Sequence, residues 1–242
     1  MANSKSTRLP PDERREQLVA LGLELLGRTP PEQVSIEAIA RAAGISKGLL
    51  YHYFPTKSDF FVAVLRRSRE ELERRMAPDF SVEMTVGERL DASIDAFLGY
   101  VSEHAAGYLA IAHARGGEDT AIRAVLAENR ERRVRAMVDF AAALSRGPRE
   151  EVESPALVVA LEGWLSFCEG VVGSWLARAD LDRAEAVYLM RENLLATLVS
   201  IAGLDPRPAA AQLASSAAAL AAAAAAARSR RTPANTQVFS AT

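Results

Sequence analysis

The residues of this chain whose types and spacing could do chemistry are concentrated in "GISKGLLYHYFPTK", residues 44–57. Lys47, His52 and Lys57 supply charge and hydrogen-bond donors, and they are interleaved with the apolar or flat side chains of Leu49, Tyr51 and Tyr53 and with Gly48. Such a mixture suits a duplex nucleic acid. Phosphates would meet Lys57, thymine methyls would meet Leu49 and the Tyr51 ring, and base edges or phosphates would meet Lys47 and His52. Catalysis has no comparable constellation. Cys168, the one cysteine, sits in an apolar helical pattern that reads as packed core. His52, His104 and His113 show neither a close metal-ligand pair nor an H-E-x-x-H spacing, and there is no phosphate-binding loop or dinucleotide fingerprint. The chain is therefore expected to have no enzymatic activity, no metal and no cofactor.

The elements that must position these residues are helices. Apolar spacing is helical almost throughout, without a run of strict alternation, so the fold class is all-α. A first helix begins near Pro11 with Leu18, Leu21 and Leu25 on one side and stops before Thr29-Pro30-Pro31. Ser35 is placed to cap a short second helix carrying Ile36, Ile39, Ala40 and Ala43, and Gly44 suits the left-handed position that closes it. After Ile45, Ser46 caps a third helix that Pro55 must end. Thr56 and Asp59 cap a fourth, running through Phe60, Phe61, Val64 and Leu65 toward Met76. Two short helices joined by a tight turn make a helix-turn-helix outline. At about 100° per residue, Leu50 and Phe54 of the third helix point inward, Tyr53 lies at the core edge, and Lys47, Gly48, Leu49, Tyr51 and His52 face outward. A glycine on that outermost line suggests the approach of something large, because a helix-interior glycine costs about 1 kcal/mol relative to alanine.

Charge is divided along the chain. Residues 1–70 hold 11 Lys and Arg against 8 Asp and Glu, whereas the remainder holds 18 against 23. The basic front permits a polyanion partner. Only three lysines occur, Lys5, Lys47 and Lys57, and two of them bracket the stretch above. One cysteine allows no disulfide within the chain, and the charged, proline-containing start has no apolar signal segment, so a cytoplasmic location is expected.

The array "VSIEAIARAAGISKGLLYHYFPTKSDFFVAVL", residues 34–65, resembles the DNA-binding domain of TetR-family transcriptional regulators, and the likeness extends upstream through "REQLVALGLELL". The resemblance implies a three-helix helix-turn-helix domain over 1–56, linked by a fourth helix to a helical effector-binding and dimerisation domain over 57–203, and composition marks off an Ala-rich tail over 204–242. It implies a sequence-specific regulator, a repressor, binding a palindromic double-stranded DNA operator as a homodimer and released by a small-molecule effector. Lys47, Gly48, Leu49 and Tyr51 would face bases, His52, Tyr53 and Lys57 would position the backbone, and the capping residues Ser35 and Ser46 are counted with the DNA-binding set. Leu49 departs from the small or hydroxylated residue usual in the family, which makes its contact apolar. A helical sensor or adaptor without operator binding is the competing reading, and it requires a disrupted outward face on the third helix.

Beyond residue 76 the pattern predicts a helix opened by Thr85 and Glu88 and running through Leu90, Ile94, Phe97 and Val101, with a break at Gly107. A turn follows at Gly116-Gly117, then a long helix from about Asp119 to Arg146 with "ENRERRVR" as its exposed charged face and Met137, Phe140 and Leu144 inward. Gly147-Pro148 ends it, Ser154-Pro155 starts a helix reaching Ala179, and Asp182 with Glu185 caps another that ends at Gly203. Gly163, Ser166, Gly170 and Gly173 form a strip of small residues suited to close approach by a partner helix, and in the resembling family such helices pair between two copies. Glu162 and Glu169 argue against a membrane span. His104, Tyr108, Trp164, Phe167 and Glu169 are the candidate effector-lining residues. The tail "AQLASSAAALAAAAAAARSRR" has high helix propensity without a wide apolar stripe, and is expected as a solitary helix or an unstructured extension.

Overall fold

The computed structural model describes residues 10–29, 34–77, 82–113, 119–178, 180–201 and 203–231. The expected Pro30-Pro31 breaker and Gly116-Gly117 turn lie outside the described residues, as do Ala179 and the side chains of His113, Arg230 and Arg231. Eleven helices are described: α1 Pro11–Arg28, α2 Ile36–Ala42, α3 Lys47–Tyr53, α4 Lys57–Met76, α5 Val86–Glu103, α6 Ala105–His113, α7 Thr120–Ser145, α8 Arg149–Val152, α9 Pro155–Ala177, α10 Arg183–Ile201 and α11 Pro208–Arg231. No strand occurs among the described residues. The architecture is all-α, with an N-terminal helix-turn-helix followed along the chain by a helical C-terminal region.

The chain divides into two compact units. One comprises residues 1–77, 95–132 and 172–179, and the other residues 78–94, 133–171 and 180–242. In the first unit α1 packs on α2, α4 and α6, and α2 packs on α3. Its centre is an apolar cluster of Leu18, Val19, Leu26, Ile36, Ile39, Leu50, Phe54, Phe60, Phe61 and Val64, with Ile122 of α7 against it. The inward line of α1 is Leu18, Val19, Gly22 and Leu26, one step round the helix from the expected Leu21 and Leu25, which are half-buried.

Gly107 does not break a helix. The interruption falls at His104, and Gly107 lies buried inside α6, where an added Cβ would sit 2.4 Å from the Leu26 carbonyl oxygen of α1. The charged run on α7 is also more than a solvated face. Arg69 of α4 donates to Glu128 Oε1 at 3.1 Å and Asn129 Oδ1 at 3.3 Å, and Arg132 donates to Glu73 at 3.1 and 3.3 Å. These pairs form a polar seam between α4 and the first half of α7. At its upper end Asp119 accepts from the amides of Ala121 and Ile122 and from the Ser58 hydroxyl, at 3.0, 3.1 and 3.0 Å. One carboxylate therefore caps α7 and holds the first turn of α4.

In the second unit the helix starts follow local chemistry. Thr85 with Glu88 and Asp182 with Glu185 each exchange side-chain and backbone hydrogen bonds as reciprocal boxes, and Ser154 Oγ accepts from the Leu157 amide at 3.1 Å. Of the inward residues expected on α7, Leu144 is buried and Met137 and Phe140 are half-buried. The stop of α7 is made by Arg146, whose φ of 58° is in the left-handed region, with the Gly147 amide reaching back to the Ala142 carbonyl at 3.3 Å. Helical periodicity could not reveal α8, which is a single turn.

The tail is the largest departure from expectation. It forms α11, which packs on α10 and α8. Ala210, Leu213 and Ala217, at i, i+3 and i+7, are buried, so a narrow stripe of small residues suffices where the partner surface comes close. Arg228 lies over the Tyr188 ring at 4.2 Å. The turn into α11 is held by Asp205 and Arg207: the guanidinium donates to the carboxylate at 2.6 to 3.0 Å and to the Glu153 carbonyl at 3.0 Å. Hydrogen bonding from the Arg207 side chain and amide lowers the Asp205 carboxyl from 3.8 to about 2. Since the folded value is the lower one, this contribution is fully present above pH 3.8 and drains away as pH falls toward 2. The thermal midpoint of Asp205→Asn should therefore change less between pH 4 and pH 2 than that of the parent. Parallel curves for the two proteins would show that the pair is not coupled to folding.

α9 and residues Pro208–Ala226 of α11 are long and apolar enough, by length and composition, to cross a membrane. α9 nevertheless carries exposed Glu162 and half-buried Glu169 midway, and its Leu157, Leu161, Trp164, Leu165 and Cys168 are buried.

Candidate nucleic-acid interface

The turn between α2 and α3 is built from backbone and caps. Gly44 takes φ 64°, and the Ile45 amide donates to the Ala40 carbonyl at 3.0 Å, closing α2 with the 6→1 hydrogen bond of a left-handed stop. Ser35 Oγ accepts from the Ala38 amide at 3.0 Å, and Ser46 Oγ from the Leu49 amide at 3.1 Å. Both serines thus set the starts of their helices, worth about 1 kcal/mol each. Leu50 is fully buried and Phe54 nearly so, which fixes the rotation of α3 about its axis.

That rotation leaves Lys47, Gly48, Leu49, Tyr51 and His52 exposed and Tyr53 half-buried. Leu49 and Tyr51 are 40% and 38% exposed, large apolar areas for so short a helix. The Tyr53 ring meets the His52 ring edge-on at 5.6 Å, so it braces the end of α3 while remaining partly accessible. A Cβ added to Gly48 would meet only Ser46 Oγ, at 4.0 Å. Among the described residues nothing requires a glycine there.

Lys57 stands in the first turn of α4, exposed, with its ammonium 5.2 Å from the centre of the Phe61 ring. The helix start beside it is already furnished. Thr56 and Asp59 form a complete capping box, with Thr56 N to Asp59 Oδ2 and Asp59 N to Thr56 Oγ1 both at 3.0 Å. The amide nest that an outside anion would share with Lys57 thus contains a carboxylate, which leaves the lysine side chain as the main attraction.

One participant was not legible from periodicity. Glu37, in the first turn of α2, pairs with Lys47 across the turn. Its carboxyl is lowered by that hydrogen bond, and the lysine is correspondingly raised. The Lys47 ammonium lies 5.9 Å from the Tyr51 ring centre, so Glu37, Lys47 and Tyr51 form one exposed group.

These features have known counterparts. Residues 18–64 match the family model "Bacterial regulatory proteins, tetR family" and residues 86–197 match "Tetracyclin repressor-like, C-terminal domain". The chain belongs to the tetR family of transcriptional regulators. A tetR-family regulator from Streptomyces coelicolor superposes with a TM-score of 0.70 at 28% identity, over 88% of this chain and 90% of that one. A TetR-like regulator from Rhodococcus sp. RHA1 shares the fold at 22% identity and a TM-score of 0.55, over 81% and 100% of the two chains. In sequence, this tetR-family chain is 31% identical over 106 residues to the HTH-type transcriptional activator FasR of Mycolicibacterium smegmatis, covering 44% of this chain and 48% of FasR. It is 25% identical over 104 residues to the nucleoid occlusion factor SlmA of a Marinomonas species, covering 43% and 50%. The chain thus matches about half the length of these relatives.

The remaining sequence candidates of this tetR-family chain are distributed over both units. His104 and Tyr108 are half-buried in the first: His104 stacks on Tyr100 with ring centres 4.3 Å apart, and Tyr108 meets Phe97 edge-on at 6.0 Å. Trp164, Phe167 and Glu169 lie in the second. Trp164 is buried and its indole N–H donates to the Met190 carbonyl at 2.9 Å; Phe167 and Glu169 are half-buried. Burial pushes the Cys168 thiol well above its ordinary range, as for a packed, unreactive sulfur. Gly163, Ser166 and Gly170 are exposed, Gly173 is half-buried, and a Cβ added at any of the three glycines would meet nothing within 4 Å. The groove of about 450 Å³ bounded by Arg15, Tyr53, Pro55, Asp59, Arg66 and Glu70 belongs instead to the head, between α1 and α4. Among the described residues no group of three or more His, Cys, Asp or Glu is placed to hold a metal ion.

Proposed function

We propose that this chain binds a palindromic duplex operator as a homodimer, represses by occupying it, and is released by a small-molecule effector acting on the domain behind the head. The observation that carries the reading is the division of α3. Leu50 and Phe54 are sealed inside, while Lys47, Gly48, Leu49, Tyr51 and His52 stand outside with no internal packing to explain them. Such a helix offers a flat, partly apolar and partly cationic edge that a major groove can admit. Along the chain we assign 1–56 to DNA reading, 57–203 to effector sensing and dimerisation, and 204–242 to a tail. The pairing surface is the outward side of α9 and α10. Val159, Gly163, Ser166 and Gly170 are exposed on α9, and Leu189 and Val199 are 42% and 40% exposed on α10. Small and apolar residues on adjacent helices suit close packing against a symmetric copy. A cytoplasmic location follows from this role.

Selection of bound sequences from a random duplex pool, followed by titration of the winner, tests the reading. The selected site should be a palindrome bound by two chains. Tyr51→Ala should weaken that site by about 1–3 kcal/mol and relax base preference, whereas Lys57→Ala should weaken all duplexes and reduce the steepness of the salt dependence. Absence of salt-dependent duplex binding by the parent, with no effector added, would refute DNA recognition and leave a helical sensor or adaptor.

A further inference from the structure

We infer that Glu37 is a selectivity residue of the DNA-reading head: by holding Lys47 in an intramolecular ion pair, it suppresses sequence-independent binding to phosphate. The inference rests on the operator-binding reading above and assigns a role within that surface.

The two side chains are on different helices, ten residues apart, and they meet on the face that α3 turns outward. Both are about half exposed, 53% for Lys47 and 52% for Glu37. Exposed pairs of this kind contribute little to folding, so stability does not account for the arrangement. Its effect is on the surface charge. The first turn of α3 has one cation, Lys47, and Glu37 neutralises it before any ligand arrives. Lys57, by contrast, has no carboxylate partner among the described residues and lies over the Phe61 ring, so its charge is available at the edge of the same surface. Among the described residues, one lysine beside this surface is therefore available and the other is restrained.

For a random duplex, bringing Lys47 to a phosphate requires breaking the pair and leaving the Glu37 carboxylate close to a polyanion. The counterion release gained on that contact is offset by the lost pair and by like-charge repulsion. A cognate site can compensate with base-edge contacts. Lys47 is then free to meet a guanine edge, or Glu37 to remain its partner while Tyr51 and Leu49 engage thymine methyls. The acidic residue thus lowers binding to the many wrong sites more than binding to the right one, which is specificity by penalising the competitor.

The test measures Glu37→Gln beside the parent, on the selected operator and on a scrambled duplex of equal length, over a salt series. If Lys47 is released to phosphate, the scrambled duplex should bind roughly 5- to 10-fold tighter near 0.1 M salt, and the slope of log affinity against log salt should steepen by about 0.9 per chain, or about 1.8 for a bound dimer. The ratio of operator to scrambled affinity should fall. Combining Glu37→Gln with Lys47→Ala decides the route: the gain should vanish when the lysine is absent. An unchanged slope, or an equal gain without Lys47, would overturn the inference while leaving operator binding intact. Failure of the parent to bind any duplex in a salt-dependent way would overturn both.

Discussion

Replacing Phe60 by alanine should destabilise the chain by about 3–5 kcal/mol, the largest loss expected from a single side chain in the first unit. Phe60 is fully buried where α4 crosses α1, with its ring edge-on to Phe54 at 5.1 Å and to Phe61 at 5.9 Å. Truncation removes the ring, both aromatic contacts and the surface against which Gly22 is fitted. For a chain of this length the thermal midpoint should fall by roughly 6–20 °C. Duplex binding should be lost at temperatures where the parent still binds, because Phe54 seats α3. The fit has a second half that can be tested separately. A Cβ on Gly22 would come within 2.5 Å of Phe60 Cζ and 2.7 Å of Val64 Cγ2. Gly22→Ala should therefore be destabilising alone and less so in a Phe60→Leu background, with a coupling energy of at least about 0.5 kcal/mol in thermal or denaturant unfolding. Strict additivity would show that the two residues do not share one packing site.

Gly107→Ala should cost about 2 kcal/mol even though alanine is the better helix former. Propensity alone favours alanine by about 1 kcal/mol. Against it stands a Cβ placed 2.4 Å from the Leu26 carbonyl oxygen and 3.1 Å from the Leu26 carbonyl carbon. Those atoms are backbone, so neither rotamer change nor side-chain flexing relieves the clash, and α6 must move away from α1. The expected result is a midpoint lowered by roughly 4–8 °C. It should be accompanied by faster amide exchange at the carboxyl end of α1, beginning near Leu26. A neutral or stabilising alanine would mean that the α1–α6 contact is looser than its geometry.

Which features could be read from sequence follows from their range along the chain. The caps at Ser35, Ser46, Thr56 and Asp182 were legible because each is an interaction over three residues, and so were the inward residues of α3, whose spacing is set by helix geometry. Gly107 was misread because the local signal of a helix glycine is a break, whereas its function here depends on Leu26, far away in sequence. Glu37 was passed over because nothing on α2 distinguishes it from a solvated acid, and only the turn brings it to Lys47. The α11 stripe was underrated for a related reason. An alanine gains little from burial by itself, and its value appears only where a neighbouring helix comes close enough to use so small a side chain. At the proposed interface, residue types and direction were legible, but the electrostatic state of Lys47 was not.

The polar seam between α4 and α7 bears on any measurement made against ionic strength. Arg132 and Glu73 are each 44% exposed, so mobile ions compete with their attraction, whereas Arg69, at 16%, is better shielded. Where Gly107 of α6 lies against the Leu26 backbone of α1 the contact is uncharged, and added ions do not screen it. Raising salt therefore slackens one attachment of the first unit selectively while it screens the duplex. Raw affinity slopes for a single protein combine those two responses, and only the difference between slopes of proteins sharing an intact seam isolates the phosphate count.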